Sequence, residues 1–302
     1  MLYIIQTALE LGFEYALVAM ALFLSYRVLD IADLTTDGCF VLGAAVSVTA
    51  AMAGFPVLGI PLAMIAGACA GFITAFLQTR LGVPSILAGI VTNTGLYTVN
   101  LFIMGGANAS LMKHETIFTM FRDTGIGGSW YKIILAAVIT VLAGVLLRLF
   151  LNTRLGLSIR ATGDNRAMVR ASSVNPTFTV TVGLCIANAM TALSGAMVGQ
   201  AQKTVDANSG TGIVVIGLAC LIIGETIVGR RRSMTRGIVA VLVGSVLYRF
   251  IYAIVLKTQI VPVESLKLVT AIIVGLAIAF PTIKKWLAFQ RRKALAGKKE
   301  GA

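Results

Sequence analysis

Apolar stretches of about twenty residues recur along this chain, at 4–26, 36–53, 57–78, 84–104, 132–151, 178–199, 211–229, 237–256 and 266–286. A helix needs ~20 consecutive apolar residues to cross a hydrocarbon core ~30 Å thick. In lipid the backbone must satisfy its own polar groups, so repeated segments of this length predict helices. The expected fold is all-α, a polytopic membrane protein of about nine transmembrane helices, with eight to ten compatible with the pattern. Segments two to four are short, rich in Gly, Ala and Thr, and interrupted by Pro56, Pro61 and Pro84. One of them is expected to be broken or re-entrant.

Composition agrees. The chain is 58% hydrophobic and 12% charged, where soluble domains carry roughly 25% charge. Residues 1–286 read as a single transmembrane domain and 287–302 as a basic tail. The first segment has no preceding positive charge and exceeds the ~7–15 residues of a signal-peptide core, so it reads as a retained span. Cys39, Cys69, Cys185 and Cys220 stand singly in apolar stretches, without the spacing of a metal or redox pair.

The net charge of +13 is concentrated. Arg154, Arg160, Arg166 and Arg170 fill one loop, Arg230, Arg231, Arg232 and Arg236 a second, and Lys284, Lys285, Arg291, Arg292, Lys293, Lys298 and Lys299 the C-terminal tail. Positively charged short loops resist translocation, so all three are expected in the cytoplasm, with the N-terminus outside. Topology and anionic headgroups account for this charge, which excludes nucleic acid as the expected partner.

The loop GLSIRATGDNRAMVRASSVNP, 156–176, has internal order. Asp164 or Asn165 can cap a helix with body RAMVRASS, in which Ala167, Met168 and Ala171 form a small apolar face. Asn175 and Pro176 end it. Such a helix either docks into a groove on another protein or lies on the headgroups.

This loop resembles the coupling loop of ABC importer permeases of the branched-chain amino acid and ribose type, whose motif runs roughly G-x-x-x-R-A-x-G-x-N-x-x-A/M-A-x-x-x-G-I/V-N. The match falls at Gly156, Arg160, Ala161, Gly163, Asn165, Ala171, Val174 and Asn175, and Ser173 departs from it where the family has Gly. ELGFEYALVAMALFLSYRVLDIADLTTDGCFVLGAAV and GTGIVVIGLACLIIGETIVGRRRSMTRGIVAVLVGSVL resemble further family segments, and ADLTTDG is closest to a branch thought to serve aromatic or other amino acids. The resemblance implies a bacterial inner-membrane permease that works as two copies on cytoplasmic ABC ATPase subunits, with an extracytoplasmic binding protein delivering the solute. It assigns coupling to Arg160, Ala161, Gly163, Asp164, Asn165, Met168, Arg170 and Ala171. ATP and Mg belong to the partner ATPase: this chain has no Walker A sequence, and no cofactor or metal is expected on it.

Polar residues inside spans are costly and are functional candidates by default. Glu10 and Glu14 share a face of the first segment, where they either line a cavity or pair with a base. Thr92, Asn93, Thr94 and Asn100 stripe the fourth segment, as a solute route or as interhelical hydrogen bonds. Asn188 joins them in the sixth. Arg249 is expected to pair with Glu14 rather than Glu225, and His114 to be solvated. An ion-coupled secondary transporter is the competing reading, resting on Glu14. An intramembrane enzyme lacks H-E-x-x-H and G-x-S-x-G, and a channel lacks filter residues.

Overall fold

A computed structural model describes residues 2–125, 127–229 and 233–258, with isolated helical positions between 268 and 279. Most of the ninth predicted segment, the C-terminal tail and Arg230 to Arg232 therefore lie outside the described residues. What is described is helical. α1 (Leu2–Leu22) runs into a π-turn (Phe23–Val28), followed by α2 (Thr36–Met52), α3 (Gly59–Thr79) and α4 (Ser85–Met104). A loop carrying β1 (Asn108–Ser110) and α5 (Ile117–Asp123) leads to α6 (Tyr131–Leu151). Then come α7 (Arg154–Asp164), α8 (Arg166–Ala171), α9 (Pro176–Gln202), β2 (Thr204–Asp206), α10 (Ile213–Val228) and α11 (Met234–Thr258).

Six of these helices, among the described residues, are long and apolar enough to cross a membrane. α2 and α10 are shorter, with 17 and 16 residues, or roughly 25 Å each at 1.5 Å per residue. Segments two to four are each a continuous helix, so the break expected among them is not seen; α2 is short instead. The shortness of α10 was not expected.

α9 lies at the centre of the bundle. Its apolar window is 78% buried within the chain, against 22% for that of α6 at the periphery. The contacts of α9 with α2 advance in step: Asp33 meets Asn188, Phe40 meets Gly195, and Ser47 meets Gln200. The two helices are therefore parallel. Asn188 is twelve residues into α9 (188 − 176), about 18 Å from its start. The extended segment before α2 thus dips part-way through the layer before the helix begins. Small residues make this approach: a Cβ at Gly195 would overlap the Phe40 carbonyl oxygen, and one at Gly43 the backbone of Ala192.

Buried hydroxyls bolt α1 in place. Thr140 of α6, Ser194 of α9 and Ser245 of α11 donate to the carbonyl oxygens of Phe13, Glu14 and Gly12 at 2.9, 2.6 and 2.7 Å. At the end remote from α7 and α8, β1 pairs antiparallel with β2. There Gln200 accepts from the Ile117 N–H and donates to Ser47 Oγ and the Pro56 carbonyl.

Candidate functional site

Two regions hold most of the sequence-predicted residues. The first is the α7–α8 segment. Thr153 caps α7, accepting from the Gly156 N–H at 3.2 Å, and Gly156, Ile159 and Thr162 are buried along one face. Thr162 and Thr179 hydroxyls meet at 2.8 Å, joining α7 to α9. Gly163 packs directly on the Val28 carbonyl oxygen, where a Cβ would not fit.

Asn165 ends α7 and caps α8, accepting from the Ala167 and Met168 N–H groups at 3.0 Å each. The cap is therefore Asn165; Asp164 is the last residue of α7. The predicted helix is α8, which ends two residues short of the expected body at Ala171; α7 before it was not expected, and the extended backbone of Asn165 separates the two. α8 buries Val169 against the protein, not the Ala167, Met168 and Ala171 face. That face is exposed, with Met168 at 60%, and Arg166 and Arg170 flank it. Ala161 and Arg160 are half-buried on α7. Ser173 stands at φ 60, in the left-handed region where Gly carries no side-chain cost. Asn175 then caps α9, with Pro176 in its first turn.

The second region is a cavity of about 380 Å³ part-way through the bundle. Asp37, Asn93, Thr94, Tyr97, Asn100 and Asn208 are among its lining residues. The Asp37 carboxylate accepts from the N–H groups of Gly212 at 3.1 Å and Val214 at 2.9 Å. It thereby caps α10 from the first turn of α2, and the N-termini of both short helices converge on the cavity. Helix N-termini favour anionic groups, which holds Asp37 in place. Asn100 Nδ2 donates to the Gly38 carbonyl at 3.1 Å and so ties α4 to the same turn.

The other pathway candidates lie elsewhere. Thr92 donates back to Ala88 within α4. Asn188 donates to the buried Asp33 carboxylate at 2.7 Å and fixes the dipping segment. Glu14 is fully buried, and among the described residues neither of its carboxylate oxygens has a hydrogen-bond partner. Arg249 does not form the expected ion pair with it. Its guanidinium lies 3.6 Å from the centroid of the Tyr15 ring, which occupies a different face of α1. Glu10 pairs with Lys132 at 3.2 Å, and Glu225 with Arg27 at 2.9 Å. Sequence reasoning missed Asp37, although it is an acid inside a predicted span, because it stands at the segment's edge.

A family profile for the branched-chain amino acid transport system permease component matches residues 4–282. The chain belongs to this family. The permeases of this family are translocation subunits, so this multi-pass membrane protein carries out no catalysis itself. It is 31% identical over 260 residues to a tyrosine transport system permease protein of Clostridioides difficile (strain R20291), covering 86% of this chain and 85% of the relative. It is also 31% identical over 281 residues to an uncharacterized protein of Rickettsia prowazekii (strain Madrid E), covering 91% and 97%. The fold is similar to that of a transporter described as of the metal-chelate ABC type, solved in an inward-facing conformation. The TM-score is 0.50 at 14% identity, over 93% of this chain and 85% of that one.

Proposed function

We propose that this permease imports an amino acid, of the aromatic class, across a bacterial inner membrane, and that it does so as two copies on two ABC ATPase subunits. An extracytoplasmic binding protein delivers the solute. The α7–α8 end and the C-terminus face the cytoplasm, where the positive charge gathers.

The observation that carries the reading is the build of α7–α8. A helix lying loose on headgroups needs no fixed position, whereas α7 is held by a backbone contact to Val28 and by the Thr162–Thr179 pair. α8 projects Met168 and Ala171 outward from that rigid base. An apolar face with flanking arginines, presented rigidly, suits the cleft of an ATPase subunit. Arg160, Ala161, Gly163, Asp164, Asn165 and Arg170 form or position that face.

The second copy is supported by α4. Its Tyr97 and Thr98 are exposed, and lipid is a poor partner for hydroxyls. A partner permease across this face would enclose the Asp37 cavity between two subunits, with Asn93 and Asn100 on the solute route. The aromatic solute is supported by the tyrosine transport relative.

The test is co-purification of the permease with its ABC ATPase subunit, followed by tyrosine uptake into proteoliposomes. Arg160→Glu combined with Met168→Glu should separate the subunits while leaving the membrane fold intact. Stable association despite both changes would overturn the docking assignment and favour an ion-coupled carrier.

A further inference from the structure

Three side-chain oxygens gather around Gly38. Asp37 precedes it in the first turn of α2, while Asn93, Tyr97 and Asn100 recur at i, i+4 and i+7 and so share a face of α4. All of them line the cavity of about 380 Å³, a volume within the roughly 300–1,000 Å³ of small-molecule sites. A Cβ at Gly38 would run into Asn93 Oδ1, so that oxygen lies directly against the turn. Asn100 spends its Nδ2 on the Gly38 carbonyl, and its Oδ1 is buried without a hydrogen-bond partner among the described residues. An acceptor left unpaired in this way is destabilising, and an arriving donor relieves it. Asp37 accepts one N–H from Gly212 and one from Val214. A carboxylate has roughly four acceptor positions, so about two remain.

The wall is one-sided in its chemistry. Asp37 is the single charged residue among the described residues that line it. A carboxylate arriving here meets no Lys, Arg or His among them. A primary ammonium carries three N–H donors and meets one carboxylate and two amide oxygens. Tyr97, exposed on the same face, offers its ring to an aromatic side chain. We infer that this cavity recognises its solute by a primary ammonium, held by Asp37, Asn93 and Asn100, and by an aromatic ring against Tyr97, and that it does not read the carboxylate.

The inference deepens the importer reading above, on which the choice of solute rests. It divides the work of selection: the permease reads amine and ring, and rejection of the decarboxylated amine falls to the binding protein that delivers the amino acid.

The test uses the purified full-length permease in phosphatidylcholine nanodiscs, whose headgroup has no primary amine. Isothermal titration compares L-tyrosine, tyramine, 3-(4-hydroxyphenyl)propionate and ethanolamine. Tyramine should bind within a few-fold of tyrosine. The propionate, which has no ammonium, should bind roughly 10- to 100-fold more weakly, the worth of a charge-assisted hydrogen bond. Ethanolamine, the amine of a lipid headgroup without a ring, should be weaker than tyramine by at least about tenfold. Asp37→Asn retains an acceptor for α10, and Asn93 forms no side-chain hydrogen bond among the described residues, so Asn93→Ala breaks none of these. Each should shrink the preference for tyramine over the propionate roughly tenfold, whereas a loss of fold alone would weaken both ligands alike. A propionate that binds as well as tyrosine, a tyramine that does not bind, ethanolamine equal to tyramine, or an unchanged preference in both variants would each overturn the assignment. Tyrosine uptake by the complex with its ATPase is measured separately. Amine-dependent binding without uptake would sink the importer reading and leave the ammonium site standing; uptake with no amine preference in binding would do the reverse.

Discussion

Gly163 of α7 rests on the carbonyl oxygen of Val28, at the end of the π-turn of α1, with no room between them for a Cβ. This backbone-to-backbone contact makes α7 an extension of the transmembrane bundle and not a surface attachment. Gly163→Ala is expected to cost about 1–3 kcal/mol by overpacking. It should also loosen the link between ATP hydrolysis and uptake. Thermal unfolding and the ratio of tyrosine imported to ATP consumed, both on the reconstituted complex, check the two halves separately.

Ser173 carries a left-handed backbone at φ 60 without being glycine. Ser173→Gly should therefore stabilise the α8–α9 junction by about 1 kcal/mol, since the left-handed conformation penalises a Cβ. Ser173→Val should do the opposite. The melting temperature of the detergent-solubilised protein reads both.

Asp37 fastens the start of α10 to the first turn of α2 through two N–H groups. Asp37→Ala leaves those donors unpaired and is expected to cost about 1–2 kcal/mol. Uptake should fall by more than this loss of fold explains, because the same carboxylate lines the cavity proposed for the solute. Asp37→Asn retains an acceptor and should recover most of the stability.

The three hydroxyls bonded to the carbonyls of Gly12, Phe13 and Glu14 come from three different helices. Ser194→Ala and Ser245→Ala should each cost ~0.6 to 2 kcal/mol, the range for hydrogen bonds between membrane helices. The pair should lose more than either alone. Unfolding of purified variants in mixed micelles gives the values.

Helix existence was legible because it follows from apolar length: the predicted 84–104 and 132–151 are Ser85–Met104 and Tyr131–Leu151 in the structure. Helix depth was not. Hydropathy marks α2 and α10 as apolar but is blind to the segment around Asp33 that carries the chain part-way across before α2 starts. α7 was missed because its buried face is made of Gly156, Ile159 and Thr162, which do not read as an apolar stripe. The polar stripe on α4 was legible as a stripe, and its residues divide in the structure. Asn93 and Asn100 do meet a cavity, while Thr92 is spent on its own helix. The Glu14–Arg249 pairing failed because sequence depth places two residues at one level without saying which face of a helix each side chain takes.

The π-turn at the end of α1 divides that helix mechanically. Upstream, the carbonyls of residues 12–14 are pinned to three neighbours; downstream, Val28 bears on Gly163 and Arg27 holds Glu225. A π-turn packs more residues into a turn than the α-helix it interrupts, and is a place where such helices kink. α7 and α10 are therefore both tied to the stretch of α1 beyond its three pins, α7 at Val28 and α10 through Arg27. The far end of α10 is the turn fastened by Asp37 beside the cavity lined by Asn93 and Asn100. A movement of α7 is thus expected to reach α10, whose other tip borders the cavity proposed for the solute.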